Sequence, residues 1–401
     1  MFLRLNIPVL TRGTFWPGLA AGLGVSRAGI FARRLRQQIR HVMDCGEVVL
    51  FASCRRAVAV AVRELGVDAP RVAVPGYVCP AVLTALRSAG ATAVPVDCAA
   101  RSLRFDPAGL EKLVDSGSVD AILAPNTYGL DQDFPFLLRL GVPVIEDAAY
   151  QAGINVGDCW CGLRGDYGIW SFNFKALTGV GGGILFHPAG KRVKLPTIAE
   201  DGWARRTTEL GRLMELYVRG FGRHHIPRFL PGGRPPSGRP ELQVRSHLLE
   251  MGPEAMSELQ AAVILSQWVS RERIQQQQRE NVGAIEAALI ELDVFRGLRD
   301  RRDPIVPHLY PIVVEGGDPA KRVYQSRTAL HAHRIQTETP YPILLGDRKA
   351  LPNCHDVADR LLLVPCHASL GSKQIERVCE GLRAASNQSG LVRFQERGTG
   401  S

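Results

Sequence analysis

The sequence predicts an α/β protein: a mostly parallel, seven-stranded sheet covered on both faces, then a smaller C-terminal α/β unit. Three observations predict it. Seven short apolar runs punctuate residues 48–186, and helix-like segments lie between several of them. An Arg-, Pro- and Gly-rich break at 187–252 follows. After it come a long helical pattern and a second set of strand and helix signals. Buried strands alternating with crossover helices are the pattern of a parallel sheet with helices on both faces.

In chain order, residues 1–44 read as an N-terminal arm and a basic helix carrying Arg33, Arg34, Arg36 and Arg40. The large unit spans 45–252. Its strand candidates are VVLFAS (48–53), RVAVPGYV (71–78), ATAVPVD (91–97), DAILAPNTY (120–128), VPVIEDAA (142–149), YGIWSFNF (167–174) and GGILF (182–186). RRAVAVAVRELG (55–66), CPAVLTALRSAG (79–90) and GLEKLVDSG (109–117) read as helices between them. Residues 187–252 break the rhythm: eight arginines and two glutamates, Glu209 and Glu215, fall between Arg205 and Arg239. PGGRPPSGRP (231–240) can be neither helix nor central strand. The segment reads as an insertion or mobile loop, or equally as a solvated linker.

The third unit, 253–386, opens on a long helix over roughly 254–293, with Ala255, Leu259, Ala262 and Val263 on one face and Val282, Ile285 and Leu289 continuing the stripe. RERIQQQQREN (271–281) is too polar for a core and reads as exposed helix. A strand at HLYPIVV (308–314) and a last helix with Ile375, Val378 and Leu382 on one face complete the unit. Residues 387–401 are polar and read as a disordered tail.

At 401 residues the chain exceeds the usual single core. Its net charge of +10 suits an anionic small molecule, a nucleic acid or an acidic membrane surface. The bland alternative is an arginine-rich chain with a solvated basic face. No helix-turn-helix or aromatic-interleaved basic motif is present, so no nucleic-acid partner is expected. No apolar run of about 18 residues suggests a membrane span, and the N-terminal region, interrupted by Pro8 and Pro17, carries no signal-peptide pattern. Peripheral membrane contact stays open. The nine cysteines are scattered, and Cys159-x-Cys161 without a second pair is a poor zinc signal, so no metal is expected. Reduced thiols in a cytoplasm are the expectation.

The chemistry concentrates at one lysine and one aspartate. Lys175 sits in IWSFNFKALTGVGGGILF (169–186), just before Gly181, Gly182 and Gly183, and Asp147 ends the apolar run GVPVIEDAAY (141–150). The chain has only seven lysines against 42 arginines. A lysine kept in an apolar, glycine-rich stretch of such a chain calls for an amine that can lose its proton, which arginine cannot supply. A lysine amine that condenses with an aldehyde, plus a carboxylate that keeps a pyridine nitrogen protonated, is what pyridoxal phosphate chemistry needs. Asp147 alone fits a helix N-cap equally well. Ser53 precedes a helix that opens with Cys54, Arg55 and Arg56, either a phosphate-binding N-terminus or a plain Ser cap. In VPGYVCP (74–80), Tyr77 or Cys79 falls at the end of the next strand, where an aromatic could stack on a ring.

In this order and spacing the segments resemble the sugar-nucleotide aminotransferase family of DegT/DnrJ/StrS type. The resemblance runs from about 45 to 190 and through MSELQAAVILSQ (256–267) and TPYPI…LPNCHDVADRLLLVPCH (339–367). It is strongest around VIEDAA and GDYGIWSFNFK…GGG. It implies the fold type I pyridoxal phosphate architecture, Lys175 as the cofactor-linked lysine and Asp147 as partner of the ring nitrogen. It implies Ser171, with backbone N–H groups near Ser53, Cys54 and Arg55, as the phosphate cradle. It also implies a homodimer that moves an amino group from glutamate or glutamine to a keto sugar, nucleotide-linked, in polysaccharide or secondary-metabolite biosynthesis.

Departures from the family pattern are specific. Ser53-Cys54-Arg55 stands where the family usually has Ser-Gly-Thr. Cys79 occupies the usual place of the stacking aromatic, with Tyr77 as a substitute. Tyr150, followed by Gln151, replaces the usual Gln or His, and Pro253 and Ala255 replace an Asn-x-Arg. The interval from Ser171 to Lys175 is one shorter than in many members. Two other readings stay open: a pyridoxal phosphate enzyme of another reaction type, and a non-catalytic descendant that binds a partner through its basic faces.

Overall fold

The computed structural model describes residues 12–24, 29–173, 175–187, 203–221, 255–299, 307 and 309–397. In chain order the elements are α1 (Arg12–Gly22), α2 (Ile30–Met43), β1 (Glu47–Phe51), α3 (Cys54–Arg63), β2 (Arg71–Pro75), α4 (Pro80–Ser88), β3 (Thr92–Val96), α5 (Pro107–Asp115), β4 (Ala121–Pro125), α6 (Phe134–Arg139) and β5 (Val144–Asp147). A two-residue hairpin, β6 (Asn155–Val156) and β7 (Cys159–Trp160), precedes β8 (Tyr167–Asn173) and β9 (Val180–His187). Then come α7 (Trp203–Phe221), α8 (Glu258–Trp268), α9 (Arg271–Leu289), β10 (Phe295–Gly297), β11 (Leu309–Val314), α10 (Pro319–Ala332), α11 (Pro352–Arg360), β12 (Leu361–Pro365) and α12 (Ser372–Arg397).

The seven apolar runs become the seven strands of one sheet, in the order β1-β9-β8-β5-β4-β2-β3. Strands β3, β2, β4, β5 and β8 pair in parallel, and β9 runs antiparallel to both β8 and β1. The parallel strands are apolar on both faces because helices cover both. On one face α3 and α4 bury Ala57, Val58, Val82 and Leu86 against Val49, Val74 and Ile145. On the other, α2 and α8 bury Leu35, Ile39 and Ile264 against Val48, Trp170 and Ile184. A second, antiparallel sheet, β10-β11-β12, buries Ile312, Val314 and Leu362 against α9, α10 and α12.

Three expectations are corrected. The helix read over 254–293 is two helices. Ser257 opens α8 with a reciprocal capping box to Gln260, and Ser270 leaves helical geometry (φ −102°, ψ 8°) before α9 begins. Ala255 lies outside α8, in an isolated antiparallel bridge with Phe51. The polar stretch 271–281 is not wholly exposed. Gln278 and Asn281 are buried, and the Asn281 amide donates to the carbonyls of Cys366, His367 and Leu370, which offsets its desolvation. The stretch read as a tail from 387 continues the backbone of α12 through Arg397, since nothing in SNQSGLVRFQER contains a proline to stop it. In the break at 187–252, α7 is helical, while 188–202 and 222–254, with Pro253, lie outside the described residues. Among the described residues no helix is long and apolar enough to cross a membrane, and no cluster of His, Cys, Asp or Glu could hold a metal ion.

Candidate active site

Parallel strands deliver their carboxyl ends to one edge of the sheet, and side chains there meet whatever enters the crevice. Asp147 is the last residue of β5, and Ser171 lies near the end of the neighbouring β8. Lys175 follows in the turn between β8 and β9. The turn is held from behind by α8. Gln267 accepts the Thr178 N–H at 2.9 Å and donates back to the Thr178 carbonyl. Gln260, two helical turns earlier on the same face, donates to the carbonyls of Val180 and Ala52, both at 3.2 Å. The sequence signal for this pair is two glutamines seven apart on a helix that is apolar from Ala261 to Leu265 between them.

Asp147 is only 5 % exposed. Its Oδ1 accepts the Ala149 N–H at 3.1 Å, and Oδ2 takes no hydrogen bond among the described residues. Burial pushes its pKa up to about 6, against the opposing pull of the Ala149 N–H and the Lys175 amine. Neighbouring Glu146, wholly buried, is neutralised by Arg164, whose guanidinium spans Glu146 at 2.6 Å and Asp131 at 2.7 Å. Lys175 is half-buried, and burial lowers the pKa of its amine to about 8. Cys79, Asp147, Cys54 and Glu338 are the surrounding groups that pull that value back up.

Ser53 caps α3 and accepts the Arg56 N–H at 3.4 Å, leaving Cys54 and Arg55 in the first turn. That helix end is pressed onto β9. Ser53 bridges Gly182, and a Cβ on Gly183 would stand 2.6 Å from the Cys54 nitrogen, so only glycine permits the approach. Gly183 pairs with Ser171 across the ladder, which sets the Ser171 hydroxyl one strand from the α3 N-terminus. The Ser171 hydroxyl accepts the Asn173 N–H at 3.5 Å.

Burial raises the pKa of the Cys79 thiol, whose surroundings include Lys175, Tyr341 and Asp147. The ring in contact with Lys175 belongs to Tyr150, its centroid 3.2 Å from Nζ. Tyr77 is wholly buried, its hydroxyl 2.8 Å from that of Tyr128 and 3.0 Å from the Tyr341 N–H that donates to it. Gln151 does not line the lysine; it binds Asn126 and the Gly129 carbonyl, and so fastens the loop after β4 to the loop after β5. Ala255 contributes its carbonyl to Arg205 of α7 at 2.8 Å. The sequence reading missed Tyr128 and Tyr341. Half of the eight tyrosines converge here, from four distant stretches that only the topology brings together.

Residues 21–208 and 243–383 match the family model of the DegT/DnrJ/EryC1/StrS aminotransferases, and the chain belongs to that family. It is 26% identical over 270 residues to the L-glutamine:2-deoxy-scyllo-inosose aminotransferase of Micromonospora echinospora. That match covers 66% of this chain and 58% of the relative, so the chain spans less than two thirds of that protein. It is 24% identical over 364 residues to the UDP-N-acetyl-3-dehydro-alpha-D-glucosamine 3-aminotransferase of Acidithiobacillus ferrooxidans, covering 88% and 87%. The fold superposes on PseC of Helicobacter pylori with a TM-score of 0.74, at 17% identity, over 97% of this chain and all of that one. A Streptococcus pneumoniae protein described as a sugar aminotransferase, solved in its PLP-form, gives 0.76 at 17% identity over 97% and 99%.

Proposed function

We propose that the chain is a pyridoxal phosphate-dependent aminotransferase that moves an amino group from glutamate or glutamine to a keto sugar or related ketone, nucleotide-linked. The observation that carries this reading is the pairing of Lys175 and Asp147. A buried amine with a pKa near 8 and a buried carboxylate act on each other's charge at the carboxyl edge of the sheet, beside a helix N-terminus. The relatives named for keto-inositol and keto-sugar amination support the substrate class. The large unit, 45–252, would bind the cofactor, and 253–386 would form the smaller domain. The stretch 209–242 that falls outside the family match supports reading the basic segment as an insertion.

The residues fit the cofactor. Asp147 offers an oxygen without a hydrogen bond among the described residues, and Gly183, having no Cβ, lets the N-terminal turn of α3 lie against β9 beside Ser171. When bound, pyridoxal phosphate supplies an electrophilic aldehyde and an electron-withdrawing ring. Lys175, losing its proton at mildly alkaline pH, is the nucleophile and the base that moves the proton at the substrate carbon. Asp147 holds a proton on the ring nitrogen through a charge-assisted contact. The N–H groups at Ser53, Cys54 and Arg55, with the Ser171 hydroxyl, hold the phosphate. Tyr150 presents its face beside Lys175, Tyr77 supports it from the tyrosine cluster, and Gln151 orients the two loops. The visible spectrum tests this. A band of bound cofactor that glutamate converts to the pyridoxamine form, and that Lys175→Ala alters, is expected. No band with added pyridoxal phosphate would turn the reading to a non-catalytic binding protein.

The enzyme would act as a homodimer in a cytoplasm. Trp16 of α1, 61 % exposed, and Met214 of α7 are exposed apolar side chains that a second copy would cover, and light scattering would read a dimer mass. All nine cysteines are free thiols.

A further inference from the structure

Lys175 touches one aromatic face, and that ring is tied to the C-terminal half of the chain. The Tyr150 hydroxyl lies 2.8 Å from the Tyr341 hydroxyl, 191 residues away. Tyr341 is itself immobilised. Its N–H donates to the Tyr77 hydroxyl at 3.0 Å, and its ring stacks on Tyr128 at 5.5 Å and 17°. Tyr128 closes the circuit with its hydroxyl 2.8 Å from that of Tyr77.

We propose that Tyr341 is a positioning residue for the reactive amine: its hydroxyl holds Tyr150, whose ring face holds Lys175. The proposal rests on reading Lys175 as the reactive group. A cation over a ring face is attracted by the ring quadrupole, so Tyr150 favours the ammonium. Burial favours the neutral amine. The opposition sets the pH at which Lys175 becomes a nucleophile. The other groups facing the amine are Asp147 at the end of β5, Cys54 at the start of α3, Cys79 before α4, and Glu338 in the strand-like segment leading to Tyr341. Tyr150 is the only aromatic ring among the described residues within cation–π distance of that amine, and its hydroxyl is the handle by which the second half of the chain orients it.

The test is competitive labelling of the cofactor-free, full-length protein with acetic anhydride over a pH series. The Lys175 peptide is quantified by mass spectrometry against the other lysines of the same chain. Wild type should titrate near pH 8 at Lys175. Tyr150→Leu should lower that midpoint by about half to one pH unit, the loss of one cation–π contact. Tyr150→Phe and Tyr341→Phe should each lower it by a smaller, similar amount. The double Phe variant should go no further than either single, because both remove the same hydrogen bond. Unmoved midpoints in both Phe variants, or Phe effects that add in the double, would overturn the proposal. If circular dichroism shows Tyr150→Leu unfolded, the Phe pair decides alone. No cofactor enters this measurement, so failure of the cofactor reading, seen separately in the visible spectrum, cannot be mistaken for failure of this one.

Discussion

At the scale of single residues, the site is held at a cost to stability. Asp147 titrates near 6 in the fold instead of the ordinary 3.8. Between those values the folded chain binds more protons than the unfolded one. The contribution of Asp147 to stability is therefore fully present below about pH 4, is lost as pH rises through 6, and stays absent at neutral pH. The difference amounts to about 3 kcal/mol at most. Asp147→Asn should stabilise the cofactor-free protein by roughly 1–3 kcal/mol at pH 7, with the gain vanishing near pH 4, while transamination is lost. Urea unfolding at the two pH values, beside a glutamate half-reaction, checks it; equal gains at both would remove burial as the cause. Lys175 mirrors this. Its depressed pKa means that its contribution to stability, fully present above the ordinary lysine value of 10.5, is lost as pH falls through 8, because burial disfavours the charged amine.

At the scale of elements, two contacts decide whether the crevice exists. The α3 N-terminus reaches the site only because β9 carries Gly183 beneath it. Gly183→Ala must push Cys54 off the strand, and pyridoxal phosphate affinity should fall at least about tenfold, a loss of about 1.4 kcal/mol. Fluorescence titration reads it; unchanged affinity would remove this helix end from the phosphate site. The lysine turn depends in the same way on Gln267 of α8, which pairs with both the N–H and the carbonyl of Thr178. Gln267→Leu leaves those buried groups unsatisfied, at about 1–3 kcal/mol, and should speed hydrogen exchange over 175–180 before it affects the small sheet. Uniform loss of protection across the chain would mean that the glutamine serves the whole core instead.

At the scale of the whole molecule, one polar joint ties the loop after β3 to α11 of the smaller unit. The Asp97 carboxylate, after β3, accepts the N–H groups of Asn353 and Cys354 at the start of α11. The Asn353 amide donates to the Cys98 carbonyl at 2.9 Å. Asp97 thus caps a helix of the other unit, and the 341–354 stretch that carries Tyr341 is fastened at its far end. Asp97→Ala should cost about 1–2 kcal/mol in denaturant unfolding and should lower the Lys175 midpoint in the direction of Tyr341→Phe. A stability loss with no change at Lys175 would uncouple the joint from the site.

The seven strands, most of the helices, and Lys175, Asp147 and Ser53 were legible in the sequence because their signals are local. Apolar runs, period-3.6 stripes, glycine clusters and a capping serine each act within a few residues. The inward face of 271–281 was not legible. Gln278 and Asn281 look solvated until the fold buries both, and only the loop from 366 to 370 brings carbonyls to the Asn281 amide. Nor was the tyrosine cluster legible, since Tyr77, Tyr128, Tyr150 and Tyr341 share no spacing, and only the strand order and the return of the C-terminal segment make them neighbours. The sequence by itself determined which elements form and which residue types could do chemistry, because propensity, periodicity and side-chain chemistry are local properties. Which aromatic meets the amine, which way burial moves its proton, and which distant tyrosine touches that aromatic were settled by the tertiary fold alone, because desolvation and contact depend on what the whole fold packs around a group.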